Sequence, residues 1–298
     1  MRLAASVIVG ALLTGCEFTR DPVAIEASET QYGVFAMLRA GVDSTTVLVA
    51  RFLPSPSPNG LGWEGVSGAN VRLVAGADTI ALTELPFTAA SCAVAIGGPA
   101  ASPAGCYQGS IPGGIQSGST YGLVVDIPDF GRIIGSTTVP APPVIVSPVE
   151  GAVLPVDFVD NNWPSVLLRI DAPAGTERIE VTLAPNEPGR TCEAHFLEGT
   201  GGVQGLVVLD EQDADGIVVR YRANCQAGAM REPVGELDAL IRAVTVDPVY
   251  ARFAETVLDE FPSGLLQQHT RAGIDRGVGF FAGSAAADRR VVLTGNGS

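Results

Sequence analysis

Arg178-Ile179-Glu180-Val181-Thr182-Leu183 decides the fold class of this chain. Ile, Val and Leu alternate strictly with Arg, Glu and Thr, the period of two that puts one set of side chains on each face of a β-strand. The same grammar runs outward in both directions. Upstream, Val166, Leu168 and Ile170 alternate with Arg169 and Asp171; downstream, Ile217, Val219 and Tyr221 share a face after the turn at Asp215-Gly216. Nearer the start, Thr45 to Phe52 is a β-branched run. Asn70 to Ala75 splits Val71, Leu73 and Ala75 from Asn70, Arg72 and Val74. Gly76-Ala77-Asp78 then turns the chain into Thr79 to Leu85, a hairpin. Tyr121 to Ile127 and Arg132 to Val139 make a further pair around Pro128-Asp129-Phe130-Gly131. Short strands separated by turn signals predict a mainly all-β protein.

Pro140-Ala141-Pro142-Pro143 stiffens the chain and withholds backbone donors from any ladder, so a domain boundary is expected there. The expectation is two Ig-like or fibronectin-like β-sandwich domains, 31–140 and 141–298. One segment breaks the pattern. Asp247-Pro248 reads as an N-cap with proline at the first helical position, and Tyr250, Phe253, Ala254, Val257 and Leu258 recur at helical spacing. A short amphipathic helix near 248–260 is therefore expected in the second domain. After it, Val278 to Phe281 and Arg290 to Leu293 return to strands.

The start of the chain has a different character. Arg2 precedes an apolar run from Leu3 to Leu13, and Leu13-Thr14-Gly15-Cys16 follows. This layout resembles a bacterial lipoprotein signal, with a positive n-region, a short h-region and a lipobox. The run is too short to span a bilayer, which takes about 20 residues. The resemblance implies that 1–15 is a signal peptide and that Cys16 is lipidated, with 16–30 as an acylated N-terminus and polar tether. Glu17 rather than Asp follows the cysteine, which points to the outer membrane.

Composition removes several function classes. The net charge is −14 with no offsetting basic stripe, which argues against nucleic acid and against docking on anionic lipid through a polybasic patch. All 18 basic residues are arginine. Without lysine there is no Schiff base, lysine nucleophile or P-loop lysine. No cofactor motif is legible. Gly277-Val278-Gly279-Phe280-Phe281-Ala282 lacks the strand–helix unit of a dinucleotide loop and reads as a strand with close backbone approach. No G-x-S-x-G elbow is present, and the two histidines, His195 and His269, stand in no metal or triad spacing. The expectation is a non-enzyme.

Apart from Cys16, four cysteines remain: Cys92, Cys106, Cys192 and Cys225. An even number in an exported chain suggests two disulfides. Of the three pairings, the local one is expected, Cys92 with Cys106 and Cys192 with Cys225. Asp210, Asp213 and Asp215, ahead of Gly216, have the spacing of a calcium loop but lack its closing bidentate Glu. An acidic hairpin turn is the competing reading. Trp63, among Gly60, Gly62 and Gly65, is a candidate ligand-stacking aromatic; the competing role, for it and for Trp163, is a core or loop anchor.

Val66-Ser67-Gly68-Ala69-Asn70-Val71-Arg72-Leu73, with Gly118-Ser119-Thr120-Tyr121-Gly122-Leu123-Val124-Val125, resembles the carboxypeptidase-regulatory or transthyretin-like Ig-type sandwich. Val249 to Phe253 and Gly273 to Gly283 are similar to the end of a family of outer-membrane lipoproteins with a domain of unknown function. Gly273 stands where that family has Asn, and Arg276 where it has the first Gly. The resemblance implies no catalytic residue. It implies a cell-envelope binding or structural module that contacts a transporter or other protein partner through sandwich loops. The alternatives are a carbohydrate- or peptide-binding accessory module of an uptake system and, third, a hydrolase with a dispersed site.

Overall fold

A computed structural model describes residues 30–53, 62–86, 104–156, 165–176, 178–185, 191–198, 206–208, 217–226, 236–251 and 271–295. The chain is mainly β. Its first unit contains β1 (Gln31–Arg39), β2 (Ser44–Leu53), β3 (Gly62–Gly65), β4 (Asn70–Ala75), β5 (Asp78–Glu84), β6 (Cys106–Ser110), β7 (Thr120–Ile127) and β8 (Gly131–Thr138). The hairpin read at 70–85 is β4–β5, with Ala75 opposite Asp78, and the pair around Pro128-Asp129 is β7–β8. One sheet runs β5–β4–β7–β8, the other joins β1, β2, β3 and β6. At one edge β5 also pairs with β6, joining the two sheets.

The second unit contains β9 (Val144–Ser147), β10 (Ala152–Val156), β11 (Ser165–Asp171), β12 (Arg178–Pro185), β13 (Thr191–Glu198), β14 (Leu206–Val208), β15 (Ile217–Gln226) and β16 (Glu236–Val246). Its pairings run β16–β12, then β13 and β14, then β15, β11 and β9. The alternation at 178–183 does what its period predicts. Ile179, Val181 and Leu183 are buried in one core with Leu168, Ile170, Ile241, Val291 and Leu293. Each such aliphatic contributes about 1.5–3 kcal/mol relative to exposure.

One short strand and one long one follow: β17 (Arg271–Ala272) and β18 (Val278–Gly295). The sequence reads as two separate strands at the end, and the structure replaces them with one strand of 18 residues. Its first half runs parallel to β1, from Gly33–Val278 to Arg39–Ser284. Its second half runs parallel to β10, while β16 flanks it from Ser284 to Thr294. The proline-rich segment 140–143 does connect β8 to β9 without secondary structure. Pairing nevertheless crosses that divide, because β18 is a member of both units. The middle of β18, Gly283-Ser284-Ala285-Ala286-Ala287, lacks the β-branched residues that signal a strand. At Gly283 the glycine has another reason: a Cβ there would come within 2.7 Å of the Val139 Cα.

The seam between the units is polar and buried. Thr245, fully buried, donates its hydroxyl to the Ala141 carbonyl at 2.6 Å, with the Ala285 carbonyl at 3.1 Å as a second acceptor. Thr137 on β8 donates to Asp247 Oδ2 at 2.7 Å. Asp247 Oδ1 in turn accepts from the Val249 amide at 2.8 Å, and Ala251 N donates to the Asp247 carbonyl. That is the expected N-cap, and 248–251 is helical. The remainder of the expected helix lies outside the described residues.

Candidate functional site

Because β18 continues from one unit to the other, the outer faces of β1, β18, β16 and β12 form one pleated surface. Pairing lays its residues out in rows. Arg39, Ser284 and Val246 make one row, Ala286, Val244 and Glu180 the next, and Asp288, Arg242 and Thr182 the third. A cleft of about 580 Å³ is sunk into this surface, within the size range of small-molecule sites. Tyr250, from the first helical turn, closes one side against Phe280, with ring centroids 4.8 Å apart at 65°. Phe280 also meets Phe35 edge-on at 5.8 Å. These rings belong to an apolar layer, with Leu48, Ala50, Phe52, Val278 and Ala282, on the side of the sheet away from the first sandwich core.

The charges of the cleft differ in how far they are compensated. Arg242 donates through Nε and Nη2 to the two carboxylate oxygens of Asp288 at 2.7 and 2.9 Å. That bidentate pair raises the guanidinium and holds the Asp288 carboxyl below its ordinary range against opposing desolvation. Glu180 has no such partner: among the described residues no hydrogen-bond donor or ion-pair cation reaches its carboxylate. The residue is exposed by area but sits in a concavity whose walls displace water. Desolvation pushes its carboxyl up, and the more distant pull of Arg39 only offsets this in part. Tyr250 is pushed up to about 12, first by burial and then by the Glu180 charge.

A second carboxylate holds structure together. Glu84 accepts from Ser67 Oγ at 2.7 Å, the Gly68 amide at 3.1 Å and the Gly105 amide at 3.3 Å. Desolvation works upward on it, but these donors outweigh that and lower its pKa. Tyr107 completes the clasp, donating to the Val66 carbonyl and accepting from the Ala69 amide.

None of the candidate site residues singled out in the sequence that the structure describes lines the cleft. Trp63 stands on β3 with its Cα opposite Phe52. Cys192 and Cys225 are register partners on β13 and β15. Cys106, on β6, is disulfide-bonded. Cys16, Cys92, Trp163, Asp210, Asp213, Asp215 and His269 lie outside the described residues. Arg39, Glu180 and Tyr250 carried no motif. Glu180 reads in sequence as an ordinary outward position of a strand, and only the passage of β18 between the units builds walls around it.

No protein-family model and no curated protein matches the chain. Eighteen chains of solved structures match. One is Drosophila OTK, extracellular domains 3–5, at 12% identity and a TM-score of 0.19, covering 92% of this chain and 68% of that one. A likeness at that score carries no argument, so the fold stands on the strand pairing described above.

Proposed function

We propose that this is a lipid-anchored protein of the bacterial cell envelope, lipidated at Cys16 and held at the outer membrane. In this reading it is a non-enzymatic binding and structural module that contacts a transporter or other envelope protein, as the resemblance of its C-terminal stretch to an outer-membrane lipoprotein family implies. The observation that carries it is β18. One strand hydrogen-bonded into both sandwiches holds their loops in a fixed relation, which suits a surface for engaging a partner. No helix among the described residues is long and apolar enough to cross a membrane. The tether 16–30 would lead directly into β1, a strand paired on both sides.

The disulfide scheme belongs to the same proposal. Directly opposed cross-strand residues have Cα atoms about 4.5–5.5 Å apart, inside the range that a disulfide spans. The register of Cys192 and Cys225 supports their pairing. Non-reducing peptide mapping should find Cys192–Cys225 and Cys92–Cys106; free thiols at the first pair would remove it.

The test of the main reading has two parts. Cys16→Ser should move the protein from the membrane fraction to the soluble one. Photo-crosslinkers at exposed turn positions such as Asp129 should then capture a discrete envelope protein in the anchored form. An anchored protein that cross-links to nothing at any turn would refute the partner reading. The cleft favours a second reading, a ligand-binding accessory module of an uptake system, because a concave site with a charge uncompensated among the described residues is what a small ligand or peptide requires.

A further inference from the structure

We infer that the cleft between the two sandwiches binds a ligand carrying an organic ammonium group on an apolar body, with Glu180 as the ammonium acceptor and Tyr250 and Phe280 as the apolar wall. The inference rests on the ligand-binding reading and not on the partner reading.

The charge inventory of the cleft gives the sign. Among the described residues four charged side chains stand at it: Arg39, Glu180, Arg242 and Asp288. Arg242 and Asp288 neutralise one another through two hydrogen bonds. Arg39 acts on Glu180 only through space, with no ion pair between them. Glu180 is thus a carboxylate already stripped of part of its water and, among the described residues, left without a donor. A carboxylate in that state gains most from a cation that brings its own N–H groups, because the desolvation cost is already met in the empty cleft.

The walls give the rest of the ligand. Tyr250 and Phe280 are in edge contact, and Met37, Val244 and Val246 continue the apolar lining. A carboxylate beside aromatic rings is the combination that selects ammonium, through a charge-assisted hydrogen bond and cation–π attraction together. The volume of about 580 Å³ admits an aromatic or branched aliphatic body. The chain's net charge of −14 also favours the approach of cations.

The test uses the full chain carrying Cys16→Ser, free of detergent, with three isosteric probes at pH 7.5: 2-phenylethylamine, 2-phenylethanol and phenylacetate. Isothermal titration should show the amine binding about tenfold or more tighter than the other two, the worth of one hydrogen bond to a charged group. Glu180→Gln should erase that preference. Ala286→Trp, on the exposed rim, should fill the cleft and abolish binding of all three. Equal affinities, a preference for phenylacetate, or an amine preference that survives Glu180→Gln would each overturn the ammonium assignment. Phenylacetate binding that Ala286→Trp abolishes would leave the ligand-binding reading standing without it. Binding of none of the probes would sink both.

Discussion

The two halves of β18 are one strand in two environments. From Val278 to Ala285 every residue is buried; from Ala286 to Thr294 exposure alternates, with Val291 and Leu293 inward and Asp288 and Arg290 outward. The first half is covered on both faces. Phe281 packs into the core of the first sandwich, while Val278, Phe280 and Ala282 join the apolar layer behind it. The second half has one covered face, so its sequence shows the period of two. Periodicity in a strand therefore reports how many of its faces are covered, and a continuous apolar run marks a strand inside the molecule.

The largest test of that contrast is the neighbouring phenylalanine pair. Phe280→Ala and Phe281→Ala should each cost about 3–5 kcal/mol in urea unfolding, because opposite faces of the first half are both packed. In the second half the neighbours Val291 and Val292 should differ, with Val291→Ala costing about 1–2 kcal/mol and Val292→Ala under about 0.5 kcal/mol. A mild effect at Phe280 would show that the outer layer is not a core.

Backbone approach should sharpen the same divide. Gly279 has φ +101°, and a Cβ there would meet the Val34 carbonyl oxygen at 2.2 Å. Gly279→Ala is expected to cost at least about 3 kcal/mol, whereas Ala286→Val should stay within about 0.5 kcal/mol. Matching denaturation midpoints for the two variants would contradict the packing described. At the seam, Asp247→Ala removes both the cap and the acceptor for Thr137, and should cost about 1–2 kcal/mol. Asp247→Asn, which keeps a capping oxygen, should recover most of it.

The smallest effects are electrostatic, and they too fall on one half. The first half of β18 contains no ionisable side chain. The second presents Asp288, whose folded pKa lies below its unfolded value, near 3.9. Its contribution is full above that value and disappears as pH falls through the lowered folded pKa. Glu180, across the cleft, has the opposite sign: its folded pKa is raised, so it costs stability above the raised value and stops doing so below its unfolded one. At pH 7, Asp288→Asn should lower Tm and Glu180→Gln should raise it, each by about 1–2 °C given their exposure. The Glu180→Gln difference should vanish once pH falls below the unfolded value of the carboxyl, whereas the Asp288→Asn difference should persist to lower pH and disappear only through the lowered folded pKa; thermal scans at descending pH would check the signs.

Much of this architecture was legible as a string. The alternations at 70–75 and 178–183 read as β4 and β12 with the correct inward residues, and 121–127 reads as a strand, β7, because one-sided burial writes itself as period two. Asp247-Pro248 marked the helix start, because capping is a matter of adjacent residues. The continuity of β18 was hidden, since its middle is glycine, serine and alanine. Gly283 is there for a close approach to Val139, more than a hundred positions away in the chain. The candidate site was hidden more deeply. Trp63, on β3, drew attention as a chemistry-bearing residue, yet the cleft is lined by Arg39, Glu180 and Tyr250, each unremarkable where it stands.

By itself, then, the sequence determined the β class, the faces of the one-sided strands, the turns and the helix cap, because each depends on residues within a few positions of one another. Only the tertiary structure decided that one strand serves two sandwiches and that a carboxylate on β12 faces an aromatic wall from β18 and the helix start. Those facts depend on pairing between distant segments, and a strand's own residues fix which face is apolar without fixing which strand it will lie beside.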